Sequence, residues 1–516
     1  MTEPDATEAD AIEADATAVT GADAITVTAT AASEADVTAT LAKPVDVVVS
    51  TGLSERSRPK PLLVPLLMLA LPVLVEHVLH IGVGLTDTYL ANHLVAEDGL
   101  SGASLASARA INASSAAAIG SVAYVLWLMG LITGAVGTGA TAIIARAVGA
   151  RHRRLANGVA GQALSASLIA GMVTALLGWT SAPLLPELFG LPTDAHGYFL
   201  GYIRLLALAV PFIMLMFAAG ACLRGAGDTL TPAMAMIVVD VLNIVLSIGL
   251  TYGKWGLPEL GFDGIAYGTV VSYIVGGLIL LLVLLRGSSR LRLYPHRMKP
   301  NVLTLKRILR IGIPSGLEGA LQWLANFCVV FVINGMGSVT AAAHLNAIRI
   351  ESLSYMTGFA FATAAATLCG QSLGMNDPRR AVRATLLSLL VGGGLMTMGG
   401  IGFIFFGTHL ARWMSGDPDN IRMTATALWI TGFIQLPFAA AMIFGGALRG
   451  AGDTLAVMLY NLASVLLVRF AGVLVVGKVF ALGLPAVWVV LSGELALRGV
   501  LMTIRFASGR WKLVKV

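Results

Sequence analysis

Charge is scarce in this chain. Only 12% of its 516 residues are Asp, Glu, Lys or Arg, whereas 57% are hydrophobic. A soluble domain usually carries about twice that charged fraction, so this chain cannot cover an aqueous surface and needs lipid as part of its solvent. Lipid admits only helices and closed barrels as spanning structures. The apolar runs are long and do not alternate with polar residues, which predicts helices.

The chain also lacks the patterns of several protein classes. Its three cysteines form no CxxC pair, so neither a disulfide framework nor a zinc site is indicated. No GxxxxGKS or GxxxxGKT motif is present, which disfavours a nucleotide-driven pump. Acids clustered with metal-binding loops are missing, as is a nucleophile beside a base. An enzyme is therefore disfavoured, and we expect no metal and no cofactor.

The start of the chain has no positive charge. Residues 1–42 contain nine Asp and Glu but no Lys or Arg, with Ala and Thr between them. Such an acidic, low-complexity composition predicts a disordered tail, which we assign to residues 1–60. A secretory signal would need a basic start followed by an apolar core, and neither is present.

Twelve hydrophobic segments follow the tail, each near the ~20 residues that a bilayer requires. We therefore predict an all-α membrane protein with twelve transmembrane helices. The predicted segments are 62–89, 117–143, 156–180, 198–222, 231–252, 264–285, 308–334, 340–370, 381–406, 424–447, 456–477 and 484–506.

Basic residues are unevenly distributed between the loops. Arg and Lys are concentrated after segments 2, 6, 8 and 12, and the loops after the odd-numbered segments carry few. By the positive-inside rule, this alternation places both termini in the cytoplasm of a multi-pass plasma-membrane protein. We expect the basic loops to face anionic lipid and not nucleic acid. The basic stretches are 146–156, 286–307, 376–383 and 505–515.

The octapeptide LRGAGDTL occurs twice, at residues 223–230 and 448–455, which is an offset of 225 residues. Segment 1 matches segment 7 with an offset of 242, through ALP at 70–72 and GIP at 312–314. We place the extra residues of the first half in an external loop at 96–115. Each half contains six segments, so the halves form a parallel repeat, and a substrate cavity between the two lobes is expected. The predicted parts are an N-lobe (61–285), a cytoplasmic basic linker (286–307), a C-lobe (308–506) and a cytoplasmic C-terminal tail (507–516).

The repeated octapeptide is predicted to be a structural turn between two helices and not a ligand site. Its glycines permit a tight turn. Arg224 and Arg449 end the preceding helices, where a cation complements the helix dipole. Asp228 and Asp453 are placed to cap the helices that follow.

Several stretches resemble the multidrug and toxic compound extrusion (MATE) family, and its DinF-like branch in particular, from about Leu62 to Trp511. They include GTGATAIIARAVGA (137–150), the two RGAGDT turns and GIPSGLEGALQ (312–322). The resemblance implies a V-shaped arrangement of two six-helix lobes. It also implies export of amphipathic, often cationic small molecules in exchange for H⁺ or Na⁺. We expect a monomer in the lipid bilayer that works by alternating access.

Two alternatives remain open. The wider superfamily includes flippases for lipid-linked oligosaccharides, but a flippase predicts a strongly basic cavity. The segments here hold few basic residues besides Arg349, Arg469 and Arg498. A membrane-embedded enzyme is an alternative of a different class, although no catalytic constellation supports it.

Acidic residues inside membrane helices mark ion or substrate paths, because they are costly to bury there. Asp87 lies in segment 1, and a helix places Glu76, His80 and Asp87 within about 40° of one another. This predicts one polar stripe on an apolar helix. Asp87 is the predicted cation-binding or proton-binding residue, and Glu76 and His80 are predicted to face the substrate cavity.

Segment 5 supplies a second set of polar residues, and Asp240, Asn243 and Ser247 share one face of it. The resemblance implies a cation site formed by Asp87, Asn243, Ser247 and Thr269, but Ser247 stands where the family has an acid. A serine does not titrate near neutral pH, so we hypothesise that Asp240 replaces the missing acid. The site would then bind H⁺, which we favour, or Na⁺.

The C-lobe contributes Glu318 and Gln322 in segment 7, which we predict to face the substrate cavity. Some family members carry cation-binding acids in segments 7 and 10, but segment 10 has no acid here. A second cation site is therefore not expected. Glu494 and Arg498, four residues apart on segment 12, are predicted to form an ion pair inside the lobe.

Overall fold

A computed structural model describes residues 61–97, 100–287 and 291–516. The predicted acidic tail lies outside these residues. Within them, eleven helices are long and apolar enough to cross a bilayer, and one bent helix pair supplies a twelfth crossing. The predicted all-α architecture with twelve transmembrane helices is confirmed.

The membrane helices are numbered α1–α12 in chain order, with six in each lobe, and each predicted segment overlaps one of them. The N-lobe helices are α1 (Leu63–Asn92), α2 (Gly102–Gly149), α3 (Arg153–Ser181), α4 (Thr193–Ala226), α5 (Leu230–Tyr252) and α6 (Phe262–Arg286). The C-lobe helices are α7 (Val302–Asn334), α8 (Ser338–Gly374), α9 (Pro378–Met414), α10 (Pro418–Gly432 and Gln435–Gly450), α11 (Thr454–Val479) and α12 (Leu484–Ala507).

The predicted external loop at 96–115 is wrong for most of its length, because α2 already begins at Gly102. Alanine is the strongest helix former, and the many alanines of this stretch favour a helix that runs on into the apolar segment. At about 1.5 Å per residue, the 48 residues of α2 extend about 70 Å, more than twice the ~30 Å bilayer core. The extra residues of the first half therefore mostly lengthen a helix.

The tenth crossing is broken and not continuous as predicted. Its two helices are separated at Phe433 and Ile434 and differ in direction by 60°. Pro437, in the first turn of the second helix, has no N–H to donate to the carbonyl of Phe433, and its ring would clash with that carbonyl in a straight helix. The break at Phe433 and Ile434 is therefore explained by Pro437.

The connections on either side of the C-lobe pack against the helices. In the linker, the carbonyls of Arg297 and Lys299 accept hydrogen bonds from Gln162 of α3 at 2.8 and 2.6 Å. After α12, the chain continues as a 3-10 turn, Arg510–Leu513, in which Trp511 is fully buried. Both connections are therefore part of the folded body.

The internal repeat is visible in how equivalent helices pack. In the N-lobe, a Cβ at Gly277 of α6 would come within 2.7 Å of the carbonyl oxygen of Phe212 in α4. In the C-lobe, a Cβ at Gly499 of α12 would overlap the carbonyl oxygen of Pro437 in α10. Small residues let helix backbones approach this closely. The same helix contact is therefore built in both lobes.

The interiors of the two lobes differ. The buried apolar residues of the N-lobe form one continuous cluster that reaches from α1 to α6. Those of the C-lobe fall into separate clusters around Phe361, Val487 and Phe403. The C-lobe interior also buries Gln435 and Glu494 completely. Its apolar core is divided, whereas the N-lobe core is continuous.

Candidate functional site

Four N-lobe helices bring polar side chains together around Asp87 of α1. Asp87 is only 4% exposed. Its carboxylate accepts hydrogen bonds from the Tyr202 hydroxyl of α4 at 2.8 Å and the Thr269 hydroxyl of α6 at 2.7 Å. The Asn243 amide of α5 donates at 3.3 Å. We call Asp87, Tyr202, Asn243, Ser247 and Thr269 the Asp87 cluster.

Asn243 connects the members of the cluster to one another. Its amide nitrogen also contacts the hydroxyls of Thr269 at 2.9 Å and Ser247 at 3.4 Å. All three side chains are fully buried. The amide oxygen of Asn243 has no hydrogen-bond partner among the described residues. Because buried acceptors are normally satisfied, this oxygen is available to a bound cation or proton donor.

Among the residues that the structure describes, no hydrogen-bond partner of Asp87 carries a positive charge. The hydrogen bonds that described residues make to its carboxylate come from two hydroxyls and one amide. By contrast, Glu76, Glu318 and Glu494 each contact an arginine. A buried charge in a protein is normally paired or bound to a cation. The Asp87 carboxylate therefore needs a proton or a small cation to balance its charge.

Asp240 lies in the same lobe but outside the cluster. It faces the backbone of α1 at Gly82, where a Cβ would come within 2.7 Å of its carboxylate. Asp240 is 9% exposed, and its Oδ1 has no hydrogen-bond partner in the described part of the chain. None of the hydrogen bonds of Asn243 or Asp87 in that part reaches Asp240. That Asp240 replaces the acid missing at Ser247 stays a hypothesis, because no described contact joins Asp240 to the Asp87 cluster.

The predicted polar stripe on α1 is divided among separate partners. Asp87 joins the cluster, whereas Glu76 binds Arg224 at 2.6 Å. His80 lies 3.4 Å from the hydroxyl of Tyr273, which is on α6. In this conformation Glu76 does not present an unpaired charge to a cationic ligand.

The two arginines of the repeated octapeptide have equivalent partners. Arg224 binds Glu76 of α1, and Arg449 binds Glu318 of α7. Residues 76 and 318 are 242 positions apart, which is the offset between the first and seventh segments. Both arginines lie in the last turn of a helix, as predicted. They also form ion pairs that connect α4 to α1 and α10 to α7, which the sequence pattern did not predict.

A larger ionic network occupies the C-lobe. Glu494 is fully buried and contacts Arg469 at 2.7 Å and Arg498 at 2.5 Å. Arg498 also donates to Gln322 of α7 at 2.8 Å. The predicted ion pair of Glu494 with Arg498 is therefore present, and Arg469 adds a second positive charge that the sequence pattern did not place there. Gln322, predicted to face the substrate, belongs to this network.

The two octapeptide copies use their aspartates differently. Asp228 caps α5, because it accepts a hydrogen bond from the N–H of Thr231 at 3.1 Å. Asp453 makes no side-chain cap and binds Arg505 at 2.8 and 3.1 Å. The capping prediction is therefore wrong for Asp453, because Arg505 supplies a charged partner for its carboxylate.

Tyr202 is the cluster residue that the sequence analysis missed. Tyrosine is common near the ends of membrane helices as an interfacial residue, so its occurrence in α4 gave no signal for a ligand site. Its burial, at 1% exposure, and its contact with Asp87 become visible only in the folded lobe. Among the described residues, no group of three or more His, Cys, Asp or Glu is arranged to bind a metal ion.

Comparison with known proteins identifies relatives over most of the chain. The MatE family model matches residues 108–248 and 314–474. The probable multidrug resistance protein NorM of Thermotoga maritima is 29% identical over 451 residues, which cover 87% of this chain and 92% of that protein. The probable multidrug resistance protein YoeA of Bacillus subtilis is 28% identical over 361 residues, which cover 68% and 76%.

Solved structures share the fold. A MOP superfamily transporter from Pyrococcus furiosus superposes with a TM-score of 0.76 at 21% identity, over 87% of this chain and 96% of that one. A multidrug resistance MATE family transporter in an outward-facing conformation gives a TM-score of 0.77 at 21% identity, over 87% and 96%. The family matches cover more than half of the chain, with one in each lobe. The chain therefore belongs to the MATE family of multi-pass membrane transporters of small molecules.

Proposed function

We propose that the protein exports amphipathic, cationic small molecules in exchange for H⁺ bound at the Asp87 cluster, by alternating access. The buried carboxylate of Asp87, with neutral donors and no positively charged partner among the described residues, is the observation that supports this function. Na⁺ is the second candidate ion, because carboxylate, amide and hydroxyl oxygens are ligands that hard cations prefer.

The cluster can link ion binding to helix packing. Asp87 belongs to α1, whereas Tyr202 and Thr269, which donate to it, belong to α4 and α6. Hydrogen bonds to an ionised carboxylate are stronger than those to a neutral group. Protonation of Asp87 would weaken its bonds to the neighbouring helices and let α1 move, and loss of the proton would restore them.

The distribution of basic residues supports an orientation for the transporter. The basic stretches follow α2, α6, α8 and α12, so both termini face the cytoplasm of the plasma membrane. We take the transporter to act as a monomer, because one chain supplies both lobes, the Asp87 cluster and the ionic network around Glu494. Alkaline phosphatase fused after Val516 should then be inactive in bacteria, whereas an active fusion would reverse the orientation.

The test of coupling uses everted membrane vesicles and a fluorescent organic cation. Under an imposed H⁺ or Na⁺ gradient, wild-type vesicles should accumulate the dye with one of the two ions. Asp87→Asn should abolish gradient-driven uptake, because asparagine cannot exchange a proton and holds a cation weakly. Asp263→Asn is the matched control, since this exposed acid lies at the start of α6 and outside the cluster.

The same assay separates the remaining possibilities. Uptake that persists in Asp87→Asn would reject the cluster as the coupling site. If Asp240→Asn retains full coupled transport, Asp240 does not replace the acid missing at Ser247. Vesicles that move a lipid-linked oligosaccharide but never the dye would instead favour the flippase.

A further inference from the structure

The two lobes touch closely at the end of the helix bundle that carries the basic stretches, here called the basic end. There α2 and α8 cross at Gly149 and Gly374, which are 225 residues apart, the offset of the octapeptide. A Cβ at Gly149 would overlap the carbonyl oxygen of Gln371, and a Cβ at Gly374 would overlap that of Arg146. The crossing is therefore reciprocal, since each helix supplies one glycine and one carbonyl.

Side chains beside this crossing reach the octapeptide of the opposite lobe. Gln371 of α8 donates to the carbonyl of Gly225 in the first octapeptide at 3.3 Å. In the other direction, Arg146 of α2 donates to the carbonyl of Ala451 in the second octapeptide at 3.5 Å. Residues 146 and 371 are also 225 positions apart. The two donors are therefore equivalent residues, and their acceptors in the two octapeptides differ by one position.

The N-terminal parts of α1 and α7 each pack into the opposite lobe at the same end. Leu66 and Leu69 of α1 belong to a buried cluster of the C-lobe. Ile308 and Ile311 of α7 belong to the buried cluster of the N-lobe. Each pair of equivalent residues is 242 positions apart, the offset between the first and seventh segments. Three sets of contacts, each present twice, therefore close the basic end.

Further from the basic end, several glycines of α2 have different surroundings. Gly120, Gly130 and Gly134 lie further from the basic end, and a Cβ at any of them would meet no atom within 4 Å in the described structure. Side chains added there would enter open space, whereas one added at Gly149 would not fit. The close fit of α2 to α8 therefore lies at its basic end, whereas its contact with α7 continues to Ala135, whose carbonyl oxygen a Cβ at Gly312 would overlap.

We infer that Arg146, Gly149, Gln371, Gly374 and the two octapeptides form a gate that closes the transport path at the basic end and separates when that end opens. The inference rests on the alternating access proposed above. It also gives a reason for the repetition of the octapeptide, because each copy is a docking site for the opposite lobe as well as the turn of its own.

The experiment measures access to a thiol placed inside the gate. Ala145 of α2 is fully buried, and its Cβ lies 2.8 Å from where a Cβ of Gly370 in α8 would be. Ala145→Cys is made in a chain whose three native cysteines are alanines, and maleimide labelling is timed in inside-out vesicles without transport substrate. Gly374→Val should speed labelling about tenfold, because a side chain that does not fit the closed gate shifts the population towards the open one.

Two further variants keep the test decisive. Gly134→Val is the matched control, since it adds the same side chain to open space on α2, and it should label at the wild-type rate. Gln371→Ala removes one contact between the lobes without adding bulk, so it should speed labelling even if Gly374→Val fails to fold. Labelling of both gate variants at the rate of Gly134→Val would overturn the gate. If the gate variants label faster than Gly134→Val but the protein shows no ion-coupled uptake, the proposed function is rejected and the gate is retained.

Discussion

Each lobe buries a carboxylate, but the two lobes surround it with opposite chemistry. Asp87 of the N-lobe is 4% exposed and is bound by hydroxyls and an amide. Glu494 of the C-lobe is 0% exposed and is bound by Arg469 and Arg498. A carboxylate that already has two cationic partners has no need of another cation. Of these two carboxylates, Asp87 is therefore the one suited to bind and release an ion.

The two lobes are alike, however, in the ion pairs that join their helices. The ion pairs of Glu76 with Arg224 and of Glu318 with Arg449 occupy equivalent places. The duplication thus kept its turns and helix contacts, while the polar interiors diverged. This comparison predicts that changes at Asp87 affect transport and changes at Glu494 affect stability.

The largest loss of stability is expected for Glu494→Gln. This change removes the carboxylate that contacts the buried guanidinium groups of both Arg469 and Arg498, and breaking a buried pair in this way costs about 3–5 kcal/mol. The thermal midpoint of the purified protein in detergent should fall by several degrees. Arg498→Met should cost less, because Glu494 and Arg469 remain as a balanced pair. An equal loss in both variants would contradict the network described here.

Asp87→Asn should give the opposite result in the same measurement. Asparagine has nearly the same shape and retains an acceptor for Tyr202 or Thr269. It also removes a buried charge that has no charged partner in the described part of the chain. We expect the free energy of unfolding to change by less than about 1 kcal/mol, within the range of mild substitutions, although coupled transport is lost. A large fall of the thermal midpoint would show that the Asp87 charge is needed for folding, and the contrast between the lobes would disappear.

Tyr202→Phe is expected to have an intermediate effect on coupling. It removes one of the three donors to Asp87, and a hydrogen bond to a charged group contributes about 1.5–3 kcal/mol. The ion concentration for half-maximal transport should therefore change by roughly tenfold or more. Tyr198→Phe is the matched control, because Tyr198 lies one turn earlier on α4 and packs on Phe262 outside the cluster. Equal effects of the two changes would remove Tyr202 from the site.

Sequence alone predicted the parts of this fold that lipid constrains. A run of about 20 apolar residues has few solutions in a bilayer, so the twelve crossings followed from hydrophobicity. The early start of α2 at Gly102 and the break before Pro437 were missed, because both depend on local residues and not on the thickness of the bilayer. Asp87, Asn243 and Thr269 were brought together by family resemblance. Tyr202 and Arg469 were missed, because each meets its carboxylate from another helix, and a single sequence does not show which helices are neighbours.

The smallest effect tests whether the two octapeptides have become different. Asp453→Asn breaks an ion pair with Arg505 whose side chains are only 8% and 17% exposed, so it should cost at least about 1 kcal/mol, the upper range for exposed pairs. Asp228→Asn should cost less than Asp453→Asn, because asparagine can keep the cap on the N–H of Thr231. The thermal midpoints of the two variants, measured side by side, give the difference. If Asp228→Asn destabilised the protein as much as Asp453→Asn, the first aspartate would also act through its charge, and the two turns would be equivalent in energy despite their different partners.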